Sequence, residues 1–209
     1  MNMNILSKGL TATIQKRGFQ TSAKFGDLSE SFSQVVNSAS TDFNGILGDQ
    51  TRNRNEKAPI LAKAQSKTKK MLNLKMEGIH EHLNTIASTI ESSVNKASSY
   101  KGNEATQMLM ATQLQGSKDI PSLIRADARY FQVLNSLPAG FFGIQSETMQ
   151  SLKDSGLKTH FPEIQSEIEQ FKLDRNHMNT MLKTANSVDV EFENAISTEA
   201  MQTRYSEEG

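Results

Sequence analysis

The stretch LNLKMEGIHEHLNTIASTIESSVNKA, residues 72–97, has the longest regular apolar pattern in the sequence. Steps of three and four residues separate its apolar side chains, which are Leu72, Met76, Ile79, Leu83, Ile86, Ile90, Val94 and Ala97. This spacing puts them on one face of an α-helix and is typical of a coiled-coil-like seam. We therefore expect a long helix from Ala58 to Ser99 with this seam buried, weakened by about 1 kcal/mol at Gly78 relative to alanine.

Other segments show the same helical period. We expect helices at Asp27–Leu47, at Glu104–Leu137 in two pieces, at Gln145–Ser155 and at Phe161–Thr203. Gly156 follows the end of the helix Gln145–Ser155, and a break is expected at Ser187 within Phe161–Thr203. Only 12 glycines and 4 prolines occur in 209 residues, fewer than the frequent turns of an all-β fold need. The sequence therefore predicts an all-α fold, an elongated helical bundle with coiled-coil-like long helices, built by residues 27–209 as one domain.

The first 26 residues differ from the rest in charge. They contain four basic residues and no acid, and Met3, Leu6, Leu10 and Ile14 form a short apolar stripe at helical spacing. A basic, hydroxyl-rich amphipathic segment without acids is typical of a mitochondrial transit peptide. The sequence therefore predicts that residues 1–26 are an import signal outside the folded unit.

The segment RGFQTSAKFG, residues 17–26, resembles the two-step mitochondrial processing pattern. In this pattern an arginine lies two residues before the first cut, a bulky apolar residue follows the cut, and a second cut removes an octapeptide. The resemblance implies cuts before Phe19 and after Gly26, and a mature chain that begins at Asp27. A basic N-terminal arm and a bacterial secretion signal have similar composition and stay as alternatives.

The search for reactive groups gives few candidates. His80 and His82 are two residues apart, so on a helix they point in different directions, whereas a helical zinc pair needs a spacing of four. Glu77 and His80 provide one Glu-x-x-His motif, but a di-iron bundle needs two. The chain contains no cysteine, and it lacks the glycine-rich phosphate loops and the nucleophile elbow of serine hydrolases. We therefore expect no catalytic residue, no cofactor and no metal site.

A basic segment lies at the start of the long helix. Between Arg52 and Lys75 there are eight basic residues and one acid, and Lys63, Lys67 and Lys70 fall on one helix face. Nucleic acid or anionic lipid is a possible partner, although no aromatic residue is interleaved for base stacking. The other interpretation is a solvated face, or one that pairs with the acidic residues after Glu163.

The segment LPAGFFGI, residues 137–144, is apolar without helical periodicity. We expect a loop in which Phe141 and Phe142 either anchor a protein partner or plug the end of the bundle.

Together these features favour a non-catalytic helical structural subunit or assembly factor of a mitochondrial protein complex, located in the matrix, that binds other subunits or itself. No apolar run approaches the roughly 18–20 residues of a membrane span. Two alternatives remain. One is a secreted or virion-type helical structural protein of a microbe, and the other is a matrix nucleic-acid-associated protein that uses the basic segment 52–75.

Overall fold

The computed structural model describes residues 23–207, and their regular secondary structure is entirely α-helical, without a strand. The helices are α1 (Ala23–Gly48), α2 (Arg54–Ser98), α3 (Glu104–Gly116), α4 (Ile120–Ala126), α5 (Ala128–Ser136), α6 (Ala139–Phe142), α7 (Ser146–His160) and α8 (Pro162–Glu207). The two longest, α2 and α8, have 45 and 46 residues. The predicted all-α helical bundle with long helices is confirmed.

Within this range the chain forms two compact units. The first unit takes the residues up to Asn84 and those from Leu173 onward, so it contains α1, the first part of α2 and the later part of α8. The rings of Phe43 and Phe192 meet edge to face in its core, with centroids 5.1 Å apart. Fully buried side chains complete this core, among them Phe32, Val36, Leu61, Ile79 and Met181.

The second unit, Thr85–Lys172, contains the shorter helices α3 to α7. Its core consists of apolar side chains, which include Met110, Leu114, Ile124, Phe131, Leu134, Met149 and Leu157. Gly156 was expected to follow the end of a helix, but α7 continues through it to His160. A Cβ at this position would overlap the ring of Phe131 and crowd Ile124, so glycine here allows a close approach of α7 to its neighbours.

Capping side chains set the boundaries of the short helices. Asp119 caps α4, because its Oδ1 accepts a hydrogen bond from Ser122 N at 3.1 Å. Asp127 caps α5 in the same way, with Oδ1 2.9 Å from Arg129 N. This second cap divides Glu104–Leu137 into three helices where the sequence predicted two.

The seam of α2 is buried at six of its eight positions, namely Leu72, Met76, Ile79, Leu83, Ile90 and Ala97. Ile86 and Val94 are only partly buried. The break expected at Ser187 does not occur, because α8 is continuous and Ser187 Oγ donates to Lys183 O at 3.0 Å within the helix.

The fold begins earlier than the sequence predicts. Helix α1 starts at Ala23 and Phe25 is buried, so residues 23–26 belong to the folded unit. Residues 1–22 of the expected import signal lie outside the described residues. The import signal itself stays a prediction, as does the expectation that residues 27–209 act as one domain.

Candidate functional site

The three lysines that the sequence singled out lie on the first half of α2. Lys63, Lys67 and Lys70 are exposed, and within residues 23–207 none of them forms an ion pair. Their ammonium groups are therefore available to an outside partner.

The neighbouring Lys69 has a different environment. Its Nζ lies 2.7 Å from Oδ2 of Asp189 in α8, and Gln65 Nε2 donates to Oδ1 of the same carboxylate at 2.7 Å. The hydrogen bond to Asp189 raises the pKa of Lys69, and the same bond lowers the pKa of Asp189. The expected pairing of the basic segment with the acidic C-terminal helix thus occurs, but through Lys69.

Lys63 and Lys67 line an open groove between the end of α1 and the start of α2, with a volume of about 450 Å³. We call it the α1–α2 groove. Its other lining residues are Thr41, Asp42, Gly45, Ile46, Asp49, Arg52, Ile60 and Ala64. Apolar side chains, two lysines and two carboxylates therefore face one depression.

The connector between α1 and α2 holds this groove in shape. Lys57 Nζ donates to Leu47 O at 2.9 Å, which satisfies a carbonyl at the end of α1. Asn53 and Glu56 form a reciprocal capping box at the start of α2, with Asn53 Oδ1 3.0 Å from Glu56 N and Glu56 Oε2 3.1 Å from Asn53 N. Local hydrogen bonds therefore fix both helix ends.

One carboxylate of the groove is itself fixed by the connector. Asp49 accepts hydrogen bonds from the hydroxyl and the backbone N–H of Thr51, and these bonds lower the pKa of Asp49. Its Oδ2 lies 3.1 Å from Arg52 Nε. Asp49 therefore stays ionised near neutral pH and neutralises the nearby arginine, which leaves Lys63 and Lys67 as the unpaired cations of the groove.

Lys70 lies outside the α1–α2 groove. It borders a separate surface depression on α2 together with Ser66, Lys69, Asn73, Leu74 and Glu77. Leu74 is 64% exposed there. The structure therefore brings Lys63 and Lys67 into one site and leaves Lys70 beside an exposed leucine.

The loop expected at residues 137–144 is wrong in its centre, because Phe141 and Phe142 lie in a short helix, α6, which Gly143 ends with a positive φ of 65°. Phe142 is 6% exposed and belongs to the core of the second unit, and its ring centroid is 5.2 Å from that of Phe141. Phe141 is partly buried against the same core, and its carbonyl accepts from Gln115 Nε2 at 3.1 Å. This packing fits the plug alternative, and partner binding by Phe141 or Phe142 stays a prediction.

A buried polar cluster lies near the start of α1, and the sequence alone does not predict it. Ser29, Asp174 and His177 are buried, and Ser29 Oγ lies 3.5 Å from His177 Nε2. His82 is partly buried nearby, where burial and the charge of Lys24 lower its pKa while Asp174 opposes the shift. The signal for this cluster in the sequence is the spacing of Asp174 and His177, which are three residues apart and therefore on one face of the predicted helix. Among the described residues no three His, Cys, Asp or Glu side chains are arranged to hold a metal ion.

No protein-family profile matches this chain, and it has no match among the curated proteins or the solved structures. In residues 23–207 no helix is long and apolar enough to cross a membrane.

Proposed function

We propose that this protein is a non-catalytic helical structural subunit or assembly factor of a mitochondrial protein complex, and that it binds its partner protein in the α1–α2 groove. The observation that carries the proposal is the pair of unpaired lysines, Lys63 and Lys67, beside the apolar residues Ile46 and Ile60. This combination suits an amphipathic helix whose apolar ridge packs in the groove and whose acidic side chains face the lysines.

The carboxylates of the groove favour a protein over a nucleic acid. Asp42 and Asp49 line the same depression as the two lysines. A polyanionic backbone would be repelled by Asp42, since the charge of Asp49 is already paired with Arg52, whereas a polypeptide can offer charges of both signs. The unpaired row of Lys63, Lys67 and Lys70 supports the nucleic-acid alternative in part, so that alternative is an outcome of the test.

The mitochondrial location rests on residues 1–26, with their basic, acid-free composition. A secreted or virion-type protein of a microbe would have a similar helical fold, and the same composition suits a bacterial secretion signal. Fractionation of a eukaryotic cell that expresses the full chain separates the two: we expect recovery in the mitochondrial matrix.

The interaction is tested with charge-reversal variants of the full chain. The double variant Lys63→Glu, Lys67→Glu is expected to be recovered in a larger complex at least about tenfold less than the wild type, as measured on native gels. The reason is that two cations that face the partner become anions. Lys118→Glu with Lys183→Glu is the matched control, since both lysines are exposed and without an ion pair among the described residues. The control variant is expected to be recovered in the complex as fully as the wild type is.

Two results would contradict the proposal. If the groove variant and the control lose the complex equally, overall charge and not the groove controls assembly. If the groove variant instead loses binding to RNA or DNA with a steep salt dependence, the nucleic-acid alternative is correct.

A further inference from the structure

The start of α1 is part of the core of the first unit. Phe25 is fully buried, with 0% of its side chain exposed. Its ring packs edge to face against the imidazole of His177 in α8, with ring centroids 5.8 Å apart and an interplanar angle of 77°. Ser29, one turn later, lies within 3.5 Å of the same imidazole. These contacts hold the first two turns of α1 against α8.

The same residues overlap the processing pattern of the sequence. That pattern implies one cut before Phe19 and a second cut after Gly26. The second cut would remove Phe25 and the first turn of α1. The first cut would leave both in place.

We propose that the precursor is cut once, at the Gly18–Phe19 bond, and that the mature chain keeps Phe19–Gly26. This inference rests on the proposed import into mitochondria. A processing endopeptidase adds one water across the peptide bond, which leaves a carboxylate on Gly18 and an amino group on Phe19. Hydrolysis needs no other co-reactant.

The Gly26–Asp27 bond is a poor substrate once α1 has formed. It lies inside the helix, whereas proteases cut exposed segments with few backbone hydrogen bonds. Cleavage there requires the first turn of α1 to unfold and Phe25 to leave the core. A chain that lacks the Phe25 side chain has a cavity beside His177. Loss of a buried phenylalanine side chain raises the unfolding equilibrium constant about a hundredfold or more.

The N-terminus of the mature protein tests the inference directly. The full chain with a C-terminal tag is expressed in a eukaryotic cell, recovered from the mitochondrial fraction and analysed by intact mass and N-terminal peptide sequencing. A first residue of Phe19 supports the single cut. Asp27, or an uncut Met1 or Asn2, in this fraction overturns the single cut and leaves import standing. Absence from mitochondria overturns the proposed import and, with it, this inference.

A second measurement tests the physical reason. In the full chain, Phe25→Ala is expected to raise the unfolding equilibrium constant about a hundredfold or more, measured by denaturant unfolding. Lys24→Ala is the matched control, because Lys24 is exposed on the same turn and its loss is expected to change the constant by less than about threefold. If Phe25→Ala behaves as Lys24→Ala does, Phe25 does not anchor α1 and the reason for retaining Phe19–Gly26 is wrong.

Discussion

The two units of this protein bury different kinds of side chain. The buried polar side chains among the described residues are Ser29, Ser40, Thr68, Asp174 and His177, and all of them belong to the first unit. The core of the second unit is made of apolar side chains. The first unit is built from long helices. The second contains five helices of 4 to 15 residues, flanked by the last part of α2 and the first part of α8.

The difference follows from how much each helix contributes to its core. In the first unit α1 alone buries eight side chains, so a serine among them still has apolar neighbours on the same stripe. In the second unit α4 buries only Ile124 and α6 only Phe142. A polar residue at either position would replace the one side chain of that helix that is fully buried. Short helices therefore tolerate less polarity in the core.

The largest expected effect comes from charged substitutions in the seam of α2, which show where this seam is buried. Leu83→Asp should lower the free energy of unfolding by about 4 kcal/mol, because Leu83 is 4% exposed and an uncompensated carboxylate would replace it. Ile86→Asp should cost roughly half as much, since Ile86 is only partly buried and its carboxylate can reach water. Chemical denaturation of both variants gives the comparison. Equal costs would mean that the seam is buried uniformly, as the sequence alone predicts.

A glycine-to-alanine change should have opposite signs in the two units. Gly156→Ala in the second unit should destabilise by roughly 1–2 kcal/mol, because the new methyl group would displace the ring of Phe131. Gly78→Ala in the first unit should stabilise by up to about 1 kcal/mol, since its Cβ would lie 3.8 Å from Leu28 Cδ2, an ordinary contact, and alanine favours the helix. Thermal unfolding of the two variants measures both effects. A gain in stability at Gly156 would show that α7 has room to move away from Phe131.

The helices with a sustained apolar period were predictable from the sequence. Leu72, Ile79 and Leu83 follow that period and are buried in α2. Individual positions were not predictable where the neighbour decides burial. Ile86 continues the pattern but is only partly buried, and Gly156 looks like a helix end although it is a packing contact, because its partner Phe131 is 25 residues away in the chain.

The candidate site was predictable only in part. The helical spacing of Lys63, Lys67 and Lys70 indicated an exposed cationic row, and all three are exposed. The sequence could not reveal that Asp42 and Ile46 of α1 line the same groove as Lys63, since helix pairing is a property of the tertiary fold. It also could not tell that Lys69, between two unpaired lysines, pairs with Asp189, which is 120 residues away.

The smallest expected effect concerns two ion pairs, a long-range one in the first unit and a local one in the second. Lys69–Asp189 joins α2 to α8, whereas Arg129 pairs with Asp127, the cap of its own helix, at 2.6 Å. Hydrogen bonds from the basic partners lower the pKa of both carboxylates. A carboxylate with a lowered folded pKa stabilises the fold above its unfolded pKa, near 4, and this stabilisation is lost as the pH falls through the folded pKa.

Replacing each aspartate with asparagine shows whether the charge or the hydrogen bonds matter. At pH 7 Asp189→Asn should cost less than about 1 kcal/mol, because the side chain of its partner Lys69 is 58% exposed and solvent screens the pair, and this cost should shrink as the pH falls below about 4. Asp127→Asn should cost less still, since asparagine caps a helix about as well as aspartate does. Urea unfolding between pH 7 and pH 3 measures both differences. A cost near zero at every pH would mean that the hydrogen bond from Gln65, which an asparagine Oδ1 can still accept, ties α2 to α8 and that the charge of Lys69 does not.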